Sequence, residues 1–293
     1  MSDETTTTRP VTTRIVGDGD DAITYDVHGD LADASVDRPA LFLFGAPMDA
    51  TGFRKLGAHF EDRPVITYDP RGAGRNPVAT ADITVAQHAE DLHRVIGALG
   101  VGPVDAFGSS GGAENLLALA AAHPDDVRIV VAHEPPSAAE LPDRETVLAV
   151  VDDMKRTYAE HGDGAAMARF IRLVMFDGPL PADYLAGPAP DPAMFGMSSA
   201  DDGTRTNPLF RNMPSTIAYA PDPAALRAFG DRLVIAAGVE SGSTMAARAA
   251  RAVAAAVGVS VTDFPSHHGG FDDSPGYPGD PDGFAARLRE VIG

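Results

Sequence analysis

The stretch Val104-Asp105-Ala106-Phe107-Gly108-Ser109-Ser110-Gly111-Gly112 decides how this chain is read. Its first four residues form a short strand-like run, and an Ala- and Leu-rich stretch of helical period follows from Gly112 to about residue 122. Between them the letters fit G-x-S-x-G in one frame only, with Ser110 at the centre. A serine held on so sharp a strand-to-helix turn needs small neighbours, and Gly108 and Gly112 supply the room. The helix start offers unpaired N–H groups and a positive dipole end, so negative charge developing beside Ser110 would be stabilised. The segment is expected to present Ser110 as a nucleophile.

The same alternation runs along most of the chain. Strand candidates are 13–16, 22–27, 40–44, 64–68, 104–107, 127–132, 232–237 and 260–264, and helix candidates are 51–60, 85–99, 112–122, 243–257 and 282–292. Several strand runs are nearly all apolar, as strands covered on both faces are. The rhythm predicts an α/β fold with an eight-stranded, mostly parallel, doubly wound sheet. One segment breaks it. Between Ala132 and Arg232 helical stretches near 143–160 and 164–176 precede a Pro/Gly/Asp-rich passage and Ala193-Met194-Phe195-Gly196-Met197. An insertion of that length predicts a helical cap, 135–215, between strands six and seven, with the core in 13–134 and 216–293. Residues 1–12, polar and Thr-rich, read as a flexible arm.

Composition removes whole classes of chemistry. The 293 residues allow one large domain or two small ones, and 44% hydrophobic residues is enough for a core. There is no cysteine, which excludes disulfides, thiolate metal sites and a cysteine nucleophile. Asp+Glu 42 against Lys+Arg 23 gives a net charge of -19, so neither nucleic acid nor an anionic membrane is an expected partner. No basic n-region with an apolar h-region opens the chain and no apolar run approaches a membrane span, from which a cytoplasmic location is expected. No P-loop or dinucleotide fingerprint is present, the histidines other than 267 and 268 show no metal spacing, and neither cofactor nor metal is expected.

With the Ser110 turn in its strand–helix setting, the chain resembles the α/β-hydrolase family over about residues 22–292, the cap excepted. Phe44-Gly45-Ala46-Pro47 stands where that family often has His-Gly followed by an oxyanion-hole residue. The resemblance implies that the N–H groups of Ala46 and Gly111 form the hole, with Phe44 in place of the usual His. Tyr68-Asp69-Pro70-Arg71-Gly72-Ala73-Gly74 looks like the family's D-x-R-G-x-G loop, in which Asp69 and Arg71 brace a turn. Phe264-Pro265-Ser266-His267-His268-Gly269-Gly270-Phe271 resembles F-P-x-x-H-x-G-F, which puts His268 rather than His267 at the base position. Many relatives carry an Asp three residues beyond the glycine after strand seven, but here that position is Ser241, preceded by Glu240. Glu240 is therefore the first candidate for the acid, and Glu134 in His133-Glu134-Pro135-Pro136 is the alternative.

These residues together predict a serine hydrolase acting on an ester or related acyl bond of a small, apolar substrate, working alone or as a homodimer. Phe44, Ser109, Met175, Phe176 and Phe195 are the candidate substrate contacts, with Met167, Phe170, Met194 and Met197 as further apolar lining from the cap, although this whole cap cluster equally suits a small core of its own. Thioesterase or perhydrolase chemistry would use the same constellation. A binding protein with lapsed catalysis is the other reading, motivated by the missing Asp.

Overall fold

A computed structural model describes residues 9–274 and 276–293. Eight strands form one sheet: β1 (Val11–Val16), β2 (Ile23–His28), β3 (Leu41–Ala46), β4 (Val65–Tyr68), β5 (Val104–Ser110), β6 (Val127–His133), β7 (Leu233–Gly238) and β8 (Val261–Phe264). Their order is β1-β2-β4-β3-β5-β6-β7-β8. β2 runs antiparallel to both neighbours, and every pairing from β4 to β8 is parallel. The α/β sheet expected from the sequence is thus present. The flexible arm is only partly testable: residues 1–8 lie outside the described residues, whereas Val11 and Thr12 belong to β1 and pair with His28 and Val27.

Strand burial follows position. β1 at the sheet's edge is exposed along most of its length, while all six residues of β3 are buried. On β3 the two-residue period divides the core. Phe42 and Phe44 join Ile66 and Tyr68 under α2 (Val85–Leu99) and α3 (Gly111–Ala122), whereas Leu41 and Leu43 join Phe107 under α1 (Arg54–Ala58) and α8 (Pro281–Ile292). α2 forms where Val85, Ala89, Leu92, Val95, Ile96 and Leu99 make one buried stripe. A Thr84–Gln87 capping box starts it, and Gly100 in the left-handed conformation ends it. The 51–60 helix is split into a 3-10 turn, Ala50–Phe53, and the short α1.

The D-x-R-G-x-G loop is a brace. Asp69 accepts hydrogen bonds from the N–H of Ala50 (3.0 Å) and from the backbone and Nε of Arg75 (2.8 and 2.7 Å), and Arg71 grips Asp91 through two bonds of 2.8 and 2.7 Å.

Between β6 and β7 lie α4 (Arg144–Val174), broken at Gly162 where φ is 79°, then α5 (Leu209–Ala218) and α6 (Pro223–Arg227). α5, which the sequence reading did not single out, runs through residue 215, the expected end of the cap. The insertion has its own core, in which Val147, Met154, Tyr158, Phe210 and Met213 pack together and reach Met245 and Ala249 of α7 (Met245–Val257). Met167, Phe170 and Phe176 pack against that core. None of the described helices is long and apolar enough to cross a membrane.

Candidate active site

β5 delivers Ser110 at its last residue, and α3 begins at the next. Ser110 has φ 56° and ψ -127°, a region that costs an L-residue on the order of 1–3 kcal/mol and that the surrounding packing must enforce. That packing is visible at the glycines. A Cβ on Gly108 would lie 2.6 Å from the carbonyl oxygen of Gly112, and one on Gly112 would lie 2.7 Å from Cα of Gly45. Both contacts are with backbone and cannot yield, so the turn accepts glycine alone at these positions. Ala46 pairs in register with Ser110, and a Cβ on Gly111 would approach the Ala46 carbonyl to 2.6 Å. The ends of β3 and β5 therefore bring Ala46 and Gly111 together beside Ser110, with the Gly111 N–H at the positive end of α3.

His268 arrives on the loop after β8. That loop is tied to the end of β7: Val239 N–H donates to Phe264 (3.0 Å), Glu240 N–H to Ser266 (2.8 Å), and Gly270 N–H closes a turn on His267 (2.8 Å). His268 Nδ1 stands 2.6 Å from Oε2 of Glu134. The sequence preference for Glu240 is thus corrected. Glu240 is solvent-exposed in the cavity wall and makes no side-chain hydrogen bond to His268, while Glu134, just past the end of β6, is fully buried and aimed at the ring. The reason is strand geometry. Glu134 adopts φ 47°, its N–H donates to Ala236 (2.9 Å), and its Oε1 accepts the N–H of Gly238 (2.9 Å), so the carboxylate is held between β6 and β7. Burial pushes this carboxyl up, but the hydrogen bond and charge of His268 outweigh it and hold it at about 2. Because an ionised Glu134 only accepts, Nδ1 of His268 carries the proton and Nε2 is left free to take another.

His267 is turned elsewhere. Its ring packs on Tyr277 with centres 3.7 Å apart and planes tilted by 32°, its Nε2 meets the carbonyl of Pro278 at 3.1 Å, and its Nδ1 accepts from the N–H of Gly269.

The sequence reading missed His133. It is fully buried beneath the His268 ring, with centres 6.1 Å apart, its Nδ1 lies 3.1 Å from Oγ of Ser109, and burial pulls it down to about 4. It is a neutral, packed ring joining the serine turn to the Glu134 strand. Its position directly before Glu134 was the available signal.

A cavity of about 580 Å³ contains Ala46, Ser110, Gly111 and His268, with Glu240, Ser241 and Tyr277 also in its wall. Phe170 and Met175 of the insertion line it, together with Leu209, Met213 and Ile217 around α5 and Met245 of α7. Of the cap residues expected as apolar lining, Phe170 and Met175 are there. Phe44 is buried beneath β3, edge-to-face with Phe42 and Tyr68; Ser109 is buried against His133; Phe176 packs on Tyr184; and Phe195 lies in a 3-10 turn of the insertion away from the cavity. For Ser109 and Phe176 the adjacent residue, Ser110 or Met175, lines the cavity instead.

The comparisons with known proteins agree with this architecture. A family model described as alpha/beta hydrolase fold matches residues 39–184. An uncharacterized hydrolase of Bacillus subtilis, YraK, is 35% identical over 98 residues, which is 32% of this chain and 36% of that protein, so the similarity spans about a third of the relative's length. A hydrolase from Pseudomonas aeruginosa superposes with a TM-score of 0.68 at 19% identity, covering 96% of this chain and 98% of that one. A thermophilic esterase from Thermogutta terrifontis, solved with malate bound, does so with a TM-score of 0.62 at 17% identity over 92% and 93%. With its serine on a strand-to-helix elbow and its histidine after the last strand, the chain belongs to the α/β-hydrolase fold family.

Proposed function

We propose that this hydrolase is a serine hydrolase that cleaves an ester or related acyl bond of an uncharged, apolar substrate, with Ser110, His268 and Glu134 as its triad. The observation that carries the reading is the 2.6 Å contact between His268 Nδ1 and the buried Glu134, in a cavity that also contains Ser110. In this reading Ser110 Oγ attacks the substrate carbonyl while Nε2 of His268 takes its proton. The N–H groups of Ala46 and Gly111 hold the oxyanion, and Glu134 stabilises the imidazolium. The proton then passes to the leaving group, an ester forms on Ser110, and water, activated by the same histidine, releases the acid.

The cavity wall supports the substrate class. Its larger side chains are mostly Met, Leu, Ile, Val and Phe, with Asn212 and Tyr277 as neutral polar groups; among the described lining residues the only carboxylate is Glu240 and there is no Lys or Arg. An acyl group bearing its own carboxylate would enter without a counter-ion and beside a like charge, at a cost that uncharged chains avoid. The lapsed-binder reading rested on a missing acid, and Glu134 removes that motive.

The test is labelling followed by turnover. A fluorophosphonate should attach to Ser110, fail on Ser110→Ala, and fall sharply on His268→Ala. A panel of p-nitrophenyl esters and thioesters should favour neutral four- to eight-carbon acyl chains over dicarboxylic half-esters by roughly tenfold or more in kcat/KM. Absence of both labelling and turnover in the folded protein would reject the reading.

A further inference from the structure

Outside the cavity the fold assembles one more cluster of ligand-bearing side chains from three separate places. His93 is on α2, His123 is the residue that ends α3, and Asp126 sits in the turn entering β6. One ligand atom from each lies within 4.8 Å of the other two. The two imidazoles stack with centres 3.9 Å apart and planes 10° from parallel. The sequence separation, thirty residues and then three, matches no metal motif, so only the packing of α2 on α3 reveals the cluster.

Three features make it a built site rather than a chance meeting of surface groups. The turn is clipped by its backbone: His123 N–H donates to Leu119 (2.7 Å), Asp126 N–H to His123 (3.1 Å), and Val104 N–H to Asp126 (2.9 Å). Each imidazole is also oriented by a carboxylate. His93 Nδ1 is 2.7 Å from Asp126 Oδ2, so two of the donor atoms already face each other, and His123 Nε2 is 2.8 Å from Glu90 Oε1, the kind of pairing that fixes tautomer and ring direction in metal sites. The two imidazoles and the Asp126 carboxylate bring three donor atoms to within 4.8 Å of one another, a spacing that a single cation can span while neutralising the adjoining carboxylates.

We propose that His93, His123 and Asp126 bind a divalent transition-metal ion, with Glu90 as a fourth donor or as the residue orienting His123. Two imidazole nitrogens and a carboxylate oxygen form a borderline donor set that suits Zn²⁺, Co²⁺ or Ni²⁺ and disfavours Mg²⁺ and Ca²⁺. The site lies where β5 and β6 begin, at the edge of the sheet opposite Ser110 and Glu134, where those strands end. It is therefore a clamp between α2 and the α3–β6 turn, and it takes no part in the acyl chemistry.

The experiment is a zinc titration of tag-free, chelator-treated full-length protein by calorimetry, repeated with Co²⁺ to read its visible absorption. One equivalent should bind with a Kd on the order of 1–50 µM, and saturating zinc should raise Tm by roughly 5 °C. His93→Ala and His123→Ala should each weaken binding by about 30-fold or more, Asp126→Asn by about tenfold, and ester turnover should be unchanged in all three. His93→Gln, which retains the helix and much of the packing, serves if His93→Ala does not fold. A Kd weaker than about 1 mM for the parent, or a Kd within about threefold of the parent in both histidine variants, overturns the site.

Discussion

Two carboxylates are sealed into the central strands at opposite edges of the sheet, and their partners differ in kind. Asp105, at the start of β5, is fully buried and faces permanent cations: Arg63 Nη1 at 2.8 Å, with Arg128 adding Nε at 2.7 Å and Nη2 at 2.6 Å. Glu134, just beyond the end of β6, is equally buried but faces one titratable ring and one backbone N–H. The first arrangement pairs a carboxylate with guanidinium groups, which do not act as proton carriers, and it ties β5 to β6 through Arg128 and to the segment leading into β4 through Arg63. The second is held by an imidazole, the type of side chain that the proposed general-base role requires. Burial alone does not separate the strand-holding carboxylate from the one proposed to act in catalysis, but the identity of the counter-ion does.

The comparison can be broken in several places. Ser110→Ala should lower kcat/KM for any accepted ester by about 10⁴–10⁶-fold with the melting temperature nearly unchanged, since it removes the nucleophile and leaves the turn intact. Glu134→Gln should cost about 10³–10⁴-fold in kcat. An amide can still accept from Gly238, but it donates to His268 Nδ1 and so enforces the wrong tautomer. Its KM should barely move. Asp105→Ala should do the reverse, lowering unfolding free energy by about 3–5 kcal/mol in a denaturant titration while kcat per folded molecule stays near the parent's. Similar losses of activity and stability in the Glu134 and Asp105 variants would erase the distinction.

A smaller effect is expected from His133. Its ring binds a proton less readily when folded, so between about 6.5, its ordinary value, and about 4 the unfolded chain takes up the proton first. Stability contributed by the neutral buried ring is complete above that window and is lost as pH falls through it. Unfolding free energies from urea titrations at pH 7.0 and 4.5 should differ by on the order of 1–3 kcal/mol more in the parent than in His133→Phe, whose ring suits the surrounding Phe107, Phe264 and Phe284. Glu240→Gln should be the mildest change, less than about threefold in kcat for a neutral ester because the side chain is exposed, with a larger gain for acyl chains ending in a carboxylate. A loss of 10³-fold would return the acid role to Glu240.

Most of the sheet and two members of the proposed triad could be read from local sequence. Strand and helix periods report burial directly, and the glycines flanking Ser110 mark a turn whose backbone contacts admit nothing larger. His268 was legible because the two phenylalanines around its loop set the register. The lining of the cavity was not, because which side of α4 and α5 faces Ser110 depends on how the insertion sits on α7. Met213 and Ile217 line the cavity, whereas Phe176 and Phe195 do not.

What the sequence determined by itself was therefore everything carried by neighbouring residues: the alternation of strands and helices, the serine turn, the histidine loop and the absence of a thiol. The tertiary structure alone decided the partnerships between residues far apart in the chain. Glu134 and His268 are 134 positions apart, and His93 meets Asp126 across 33. The physical reason is that a hydrogen bond depends on ångström placement, which the order of strands in the sheet sets. β6 and β7 lie side by side, so the carboxylate leaving β6 is within reach of the loop leaving β8, while the exposed Glu240, nearer in sequence, points along the cavity wall.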